Sequence, residues 1–242
     1  MDATTIELLR VTKDLGATIK PGPTIFAGPG EVCTDDDFEA VGADAGLNGP
    51  MLADLLASMA AHENLGTNLY RMLARGCDNP ALSSNLKDFE ADAVTAVGVF
   101  RTLFEALDVP WRYVSPAARA TEAMDAKLQE AFLLSGSADP VTVDLKRVEA
   151  VLVASTLCVA NTAVLSNLAA GLDDGTTRQA LETAVAALEG PQTEHLQWAA
   201  DTRMRMALGQ ARGELMPKGA MAAETLVGKV KDVAKSIKDT LS

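Results

Sequence analysis

Three features of the chain predict an all-α fold. Ala, Leu and Val dominate the composition, aromatic residues make up only 4% of it, and apolar residues recur at alternating steps of four and three over windows longer than any strand. A chain of 242 residues can bury one substantial core, and no long hinge divides it, so one helical domain with appendages is expected.

The first 50 residues read as an irregular leader. A short helix is expected over residues 5–15, after which Pro21, Pro23, Gly28, Pro29 and Gly30 interrupt any periodicity as far as Pro50. The segment GPGE at 28–31 lacks the Lys-Ser/Thr of a phosphate loop and follows no strand, so it reads as a turn.

A bundle of four long helices is expected over residues 51–210. The first should run from about Pro50, at a first-turn position, to Arg75 and stop at Gly76. Its stripe is Leu52, Leu56, Met59, Glu63, Gly66, Tyr70 and Leu73. The second, about Pro80 to Leu107, gives Leu86, Glu90, Ala93, Val97, Phe100 and Phe104 at the same spacing. A connection from Val109 to Pro140 contains an extra helix, from Ser115-Pro116 to about Ser135. A connection of that length crosses the whole bundle, leaving helices two and three parallel, whereas the short turns at 76–80 and 171–176 join antiparallel neighbours.

The third long helix, about Val141 to Ala170, carries Glu149 one turn in. Its charge-free stretch from Ala150 to Leu172 is long enough to span a bilayer. The polar residues Ser155, Thr156, Asn161, Thr162, Ser166 and Asn167 within it, and the lack of an aromatic belt, read instead as a bundle helix buried on most sides. The fourth, about Thr176 to Leu208, places Leu181, Val185, Leu188, Gln192, His195, Ala199 and Met206 on one stripe, with Glu194 rotated about 100° away. Gly190-Pro191 should kink it just before that polar pair.

Residues 211–242 form a linker and an amphipathic helix from about Met221, with Leu226, Val230, Val233, Ile237 and Leu241 on one side. Residues 218–242 hold five Lys against Glu224, Asp232 and Asp239, a net of +2, so the rest of the −12 chain carries −14. This acidity excludes a nucleic-acid backbone as partner. The basic tail is fit for a protein partner, a second copy or weak contact with a membrane surface. Cys33, Cys77 and Cys158 are odd in number and without CxxC spacing, which argues against a disulfide framework or a zinc site. With no basic, apolar leader at residue 1, a cytoplasmic protein is expected.

The polar residues on the core stripes carry the functional reading. A buried carboxylate must be neutralised, paired or bound to a metal, because desolvation alone costs several kcal/mol. Glu63, Glu90, Glu149 and the pair Glu194-His195 occur one set per long helix. Carboxylate oxygens and an imidazole projected inward from four helices suit iron or manganese.

Glu63 followed by Tyr70, the run LFEALDVP at 103–110, Glu149 on the third helix, and Gln192-Thr193-Glu194-His195 followed by Trp198 resemble the ferritin-like superfamily, in particular bacterioferritin-type domains. The resemblance spans about residues 51–208. It implies a ferritin-like four-helix bundle, a homo-oligomer and a di-iron carboxylate centre with ferroxidase- or oxidase-type activity. Glu63, Glu149 and His195 would be terminal metal ligands and Glu90 the bridge, with Gln192, Glu194 and Asp92 as further candidates and Tyr70 and His62 beside the site. The ligand set departs from the family at two positions, where Ala93 stands for a His and Gln192 for a Glu. The alternative is a metal-free scaffold, its buried carboxylates paired with Arg or Asn, that acts in assembly through its C-terminal helix.

Overall fold

The computed structural model describes residues 33, 35–111, 113, 115–134 and 139–212, all within the unit Cys33–Ser242. The short helix expected over 5–15 and the amphipathic helix from Met221 lie outside them. The described part of the leader makes two 3-10 turns, Asp35–Phe38 and Ala43–Ala45. It then meets five α-helices: α1 Gly49–Arg75, α2 Pro80–Ala106, α3 Pro116–Leu134, α4 Pro140–Ala170 and α5 Thr176–Ala211. No strand occurs among the described residues, and the fold is all-α.

Local chemistry explains the boundaries. Asn48, Asn79 and Asp139 cap α1, α2 and α4, each accepting from backbone N–H groups of the first turn and each followed by Pro in that turn. At α5 the N-cap is Gly175, and the acceptor is supplied from the leader instead: Asp44 takes the backbone N–H of Thr177 at 3.0 Å and also its hydroxyl. These hydrogen bonds hold the Asp44 carboxyl below its ordinary range. Gly49 is required by close approach, because a Cβ there would collide with the carbonyl oxygen of Phe38.

α2 ends with Asp108 in the left-handed region, φ 57°, while Val109 N–H reaches back to Phe104 O at 2.9 Å. This closes the last turn as a glycine-type cap does, with Asp where Gly is favoured. Asp108→Gly is therefore expected to raise stability by about 0.5–1 kcal/mol, read as a higher midpoint in urea with an unchanged slope.

α1 and α2 form one antiparallel hairpin and α4 and α5 another. Contacts of His62 with Ala154 O and of Gly76 O with Arg147 run α4 antiparallel to α1, and so parallel to α2. Opposite α4, α2 packs on α5. The connecting helix α3 lies along α1 through a polar seam. Ser58 meets Thr121 at 2.7 Å, Gln129 donates to Leu65 O at 3.2 Å, and the N–H of Ala117 bonds Asp54 at 3.1 Å.

Two apolar clusters fill the interior. One gathers Leu52, Leu56, Met59, Phe100, Phe104, Leu165, Leu181 and Leu188. The other gathers Leu69, Tyr70, Leu73, Leu86, Phe89, Val148, Val151 and Ala199. Between them the buried residues are polar: His62, Glu63, Thr162, Gln192 and His195.

α4 differs from the expectation of burial on most sides, since only 44% of its most apolar window is buried and Val153 is 58% exposed. Among the described residues its principal partners are α5 and, more lightly, α1, which leave one side of the helix open.

Candidate functional site

The polar layer is built from all five helices. Glu63 on α1 is buried, and its Oε1 accepts a hydrogen bond from Gln192 Nε2 of α5 at 2.7 Å. The amide oxygen of Gln192 accepts in turn from the hydroxyl of Thr162 on α4. That pairing orients the amide, since its oxygen faces a donor and its nitrogen an acceptor. The Cys158 thiol also bonds Glu63. Burial pushes the Glu63 carboxyl above its ordinary range, against the opposing pull of the His62 charge and of these donors. It raises the Cys158 thiol well above its usual value, with the Glu63 charge adding to the effect.

His62 is held at both ring nitrogens. Nδ1 meets Asp125 Oδ2 of α3 at 2.7 Å, and Nε2 meets Ala154 O of α4 at 3.1 Å. Both partners are acceptors, so the ring satisfies both only as the imidazolium. Burial disfavours that charge, yet the Asp125 hydrogen bond and charge outweigh it and raise the His62 pKa.

His195 on α5 bonds Asp92 of α2 at 3.0 Å. Its ring lies against Phe89, centroids 4.0 Å apart, and edge-on to Tyr70 at 5.7 Å. Here burial wins over Asp92, and the His195 pKa is lowered. The Tyr70 hydroxyl is raised by burial and pairs with Ser155 at 3.4 Å. A cavity of about 40 Å³ remains between Glu63, Tyr70, Asp92, Cys158, Gln192 and His195. Pro191 also lines it, inside a helix that is continuous from Thr176 to Ala211.

Glu63, Gln192, His195, Asp92, Tyr70 and His62 are thus brought to one place. Glu90, Glu149 and Glu194 are not. The buried register of α2 runs Leu86, Phe89, Ala93, Ala96 and Phe100, so Phe89 takes the core position and Glu90 turns outward to Arg71, 2.7 Å away. Glu149 is paired with Lys146 at 2.6 Å and Arg203 at 3.1 Å; these partners, Lys146 foremost, lower its pKa. Glu194 is exposed. His62 lies off the first helix's expected stripe but is buried, because α3 covers a second face of α1.

Sequence reasoning did not single out Asp125, Cys158 or Thr162 for the site. Ala118, Thr121, Asp125 and Leu128 do follow three-four-three spacing along α3, which marks the seam with α1. Cys158 and Thr162 share the Ala154 and Leu165 face of α4, a register hidden by the apolar character of the whole helix.

No family model, curated protein or solved structure matches this chain. The ferritin-like resemblance therefore rests on the quoted residues alone. Among the described residues, no group of three or more His, Cys, Asp or Glu is arranged to hold a metal ion. The donor set does not fit a carboxylate-bridged pair of metals. Two of its three carboxylates, Glu90 and Glu149, face outward into cations, and Glu63 accepts from an amide and a thiol beside an imidazolium.

Proposed function

We propose that this chain is a ferritin-like helical bundle that works without a metal, as a component of a protein assembly. The observation that carries the reading is that the side chains required for a metal centre already have protein partners. Glu90 pairs with Arg71, Glu149 with Lys146 and Arg203, Glu63 with Gln192, and His195 with Asp92. A polar layer paired in this way orders the helices and sets their register, and an ion would have to displace these partners to bind.

Two hairpins joined by a crossing connection support the ferritin-like part of the reading. The apolar, uncharged side of α4 supports the assembly part, since exposed apolar surface of this kind marks contact with another molecule. Elemental analysis of the purified full chain, after aerobic loading with Fe(II) and Mn(II), is expected to find neither ion in stoichiometric amount. Stoichiometric iron or manganese that is lost in both Glu63→Ala and His195→Ala would sink the proposal and restore the metal centre.

A further inference from the structure

Resting on the assembly reading above, we infer that the open side of α4 is a self-association surface, and that its occupant is the α4 of a second copy of this chain, packed antiparallel about a two-fold axis. The surface comprises Val153, Leu157, Ala160 and Val164, with Thr156 and Asn167 at its edges. Val153 is 58% and Val164 41% exposed, Leu157 and Ala160 are half-buried, and Thr156 and Asn167 are exposed. One turn of helix separates each member of the stripe from the next.

Charge selects the occupant. The chain carries −12 overall, so a second copy is repelled by most of the surface. Between Glu149 and Asp173 no Asp, Glu, Lys or Arg occurs, and a like-charged copy can approach there without burying a carboxylate. An acidic protein has less reason to present this face to a membrane with anionic headgroups; the face has no aromatic residue to anchor it at an interface, and the Lys146 that flanks it is paired with Glu149 at 2.6 Å.

The stripe is also self-complementary. Its spacing of four, three and four residues reads the same in both directions, so reversing one helix sets Val153 against Val164 and Leu157 against Ala160 of the other copy. The larger Leu then faces the smaller Ala, as interdigitating helices require. Isologous pairing needs this property, because one patch must serve as both halves of the contact. A single helix face is smaller than the roughly 800 Å² per partner of a standard interface, so the pair is expected to exchange with single chains at micromolar concentration.

Sedimentation velocity of the full 25.3 kDa chain tests this. At about 100 μM a two-chain species is expected, giving way to single chains near 1 μM. Ala160→Glu and Val164→Glu, each on the open face, should shift the midpoint upward at least tenfold while circular dichroism, and the thermal midpoint near 1 μM where both proteins are single chains, stay unchanged. The register is read by cysteines: Val153→Cys with Val164→Cys in one chain should cross-link two copies under mild oxidation, whereas Val153→Cys alone should not. Single chains at every concentration overturn the inference, as does a two-chain species indifferent to both Glu variants or wild-type co-sedimentation with phosphatidylcholine vesicles that Ala160→Glu abolishes. Metal content measured on the same samples keeps failure of this surface distinct from failure of the metal-free reading.

Discussion

His62→Ala is expected to lower the stability of the protein by roughly 3–5 kcal/mol, the range for removing one partner of a buried ion pair. The ring joins three helices at once, with Asp125 of α3 on one nitrogen and Ala154 O of α4 on the other. Without it Asp125 loses its partner in a site where its side chain is 14% exposed, and a helix carbonyl loses its second donor. The neighbouring Glu63 also loses the cation whose charge favours its charged form. Asp125→Asn should cost less, because an amide oxygen still accepts from Nδ1. The double variant should show a coupling of about 1–3 kcal/mol in a thermodynamic cycle. Additive losses would mean that His62 and Asp125 do not act as a pair.

The same pair sets the alkaline side of the stability profile. The folded pKa of His62 is raised above its unfolded value near 6.5, so its contribution is fully present below that pH and is lost as pH rises through the folded value. His195 has the opposite sign. Its folded pKa is lowered, so its neutral, buried form favours folding above 6.5 and the protein loses stability as pH falls through that value toward the folded one. Denaturant titrations across this range should find wild-type stability falling on both sides, and His62→Gln should remove the alkaline limb while leaving the acid limb of His195.

Gln192→Leu should cost about 2–4 kcal/mol, because it strands two buried groups at once. Glu63 would lose its amide donor and Thr162 its acceptor, and both are buried. Replacing the whole relay, Glu63→Leu with Thr162→Val and Gln192→Leu, should recover most of the loss, since a matched apolar set leaves only the weak Cys158 thiol donor without its partner. Recovery without change in metal content agrees with a structural layer. A triple variant no more stable than Gln192→Leu alone would show that packing, and not polar satisfaction, governs this position.

Glu63→Gln separates charge from hydrogen bonding at the same site. The amide oxygen can still accept from Gln192, while the charge that burial opposes is gone. Because the folded pKa of Glu63 is raised, its own contribution to stability falls as pH rises from the ordinary carboxylate range through that value, opposing the His195 limb where the two overlap. The variant should lack this loss, and the two titration curves should converge at acidic pH.

The helices are set by local sequence signals. Their caps, Pro starts and Gly stops act within one turn, and the stripes of α1 and α5 are strongly periodic, so Glu63, Gln192 and His195 were legible as buried polar positions before any packing was known. Tertiary structure decided the rest. Phe89 and Glu90 lie one residue apart, about 100° around a helix, and a stripe stepping by threes and fours can pass through either. Only the surroundings show Phe89 packed among Tyr70, His195 and Trp198 and Glu90 outside with Arg71. α4 is apolar around its whole circumference, so periodicity cannot say which side is buried or that Glu149 is claimed by Arg203 of another helix. The place of α3 over a second face of α1 buries His62 and delivers Asp125 to it. That juxtaposition joins residues 63 positions apart, and no local propensity encodes it.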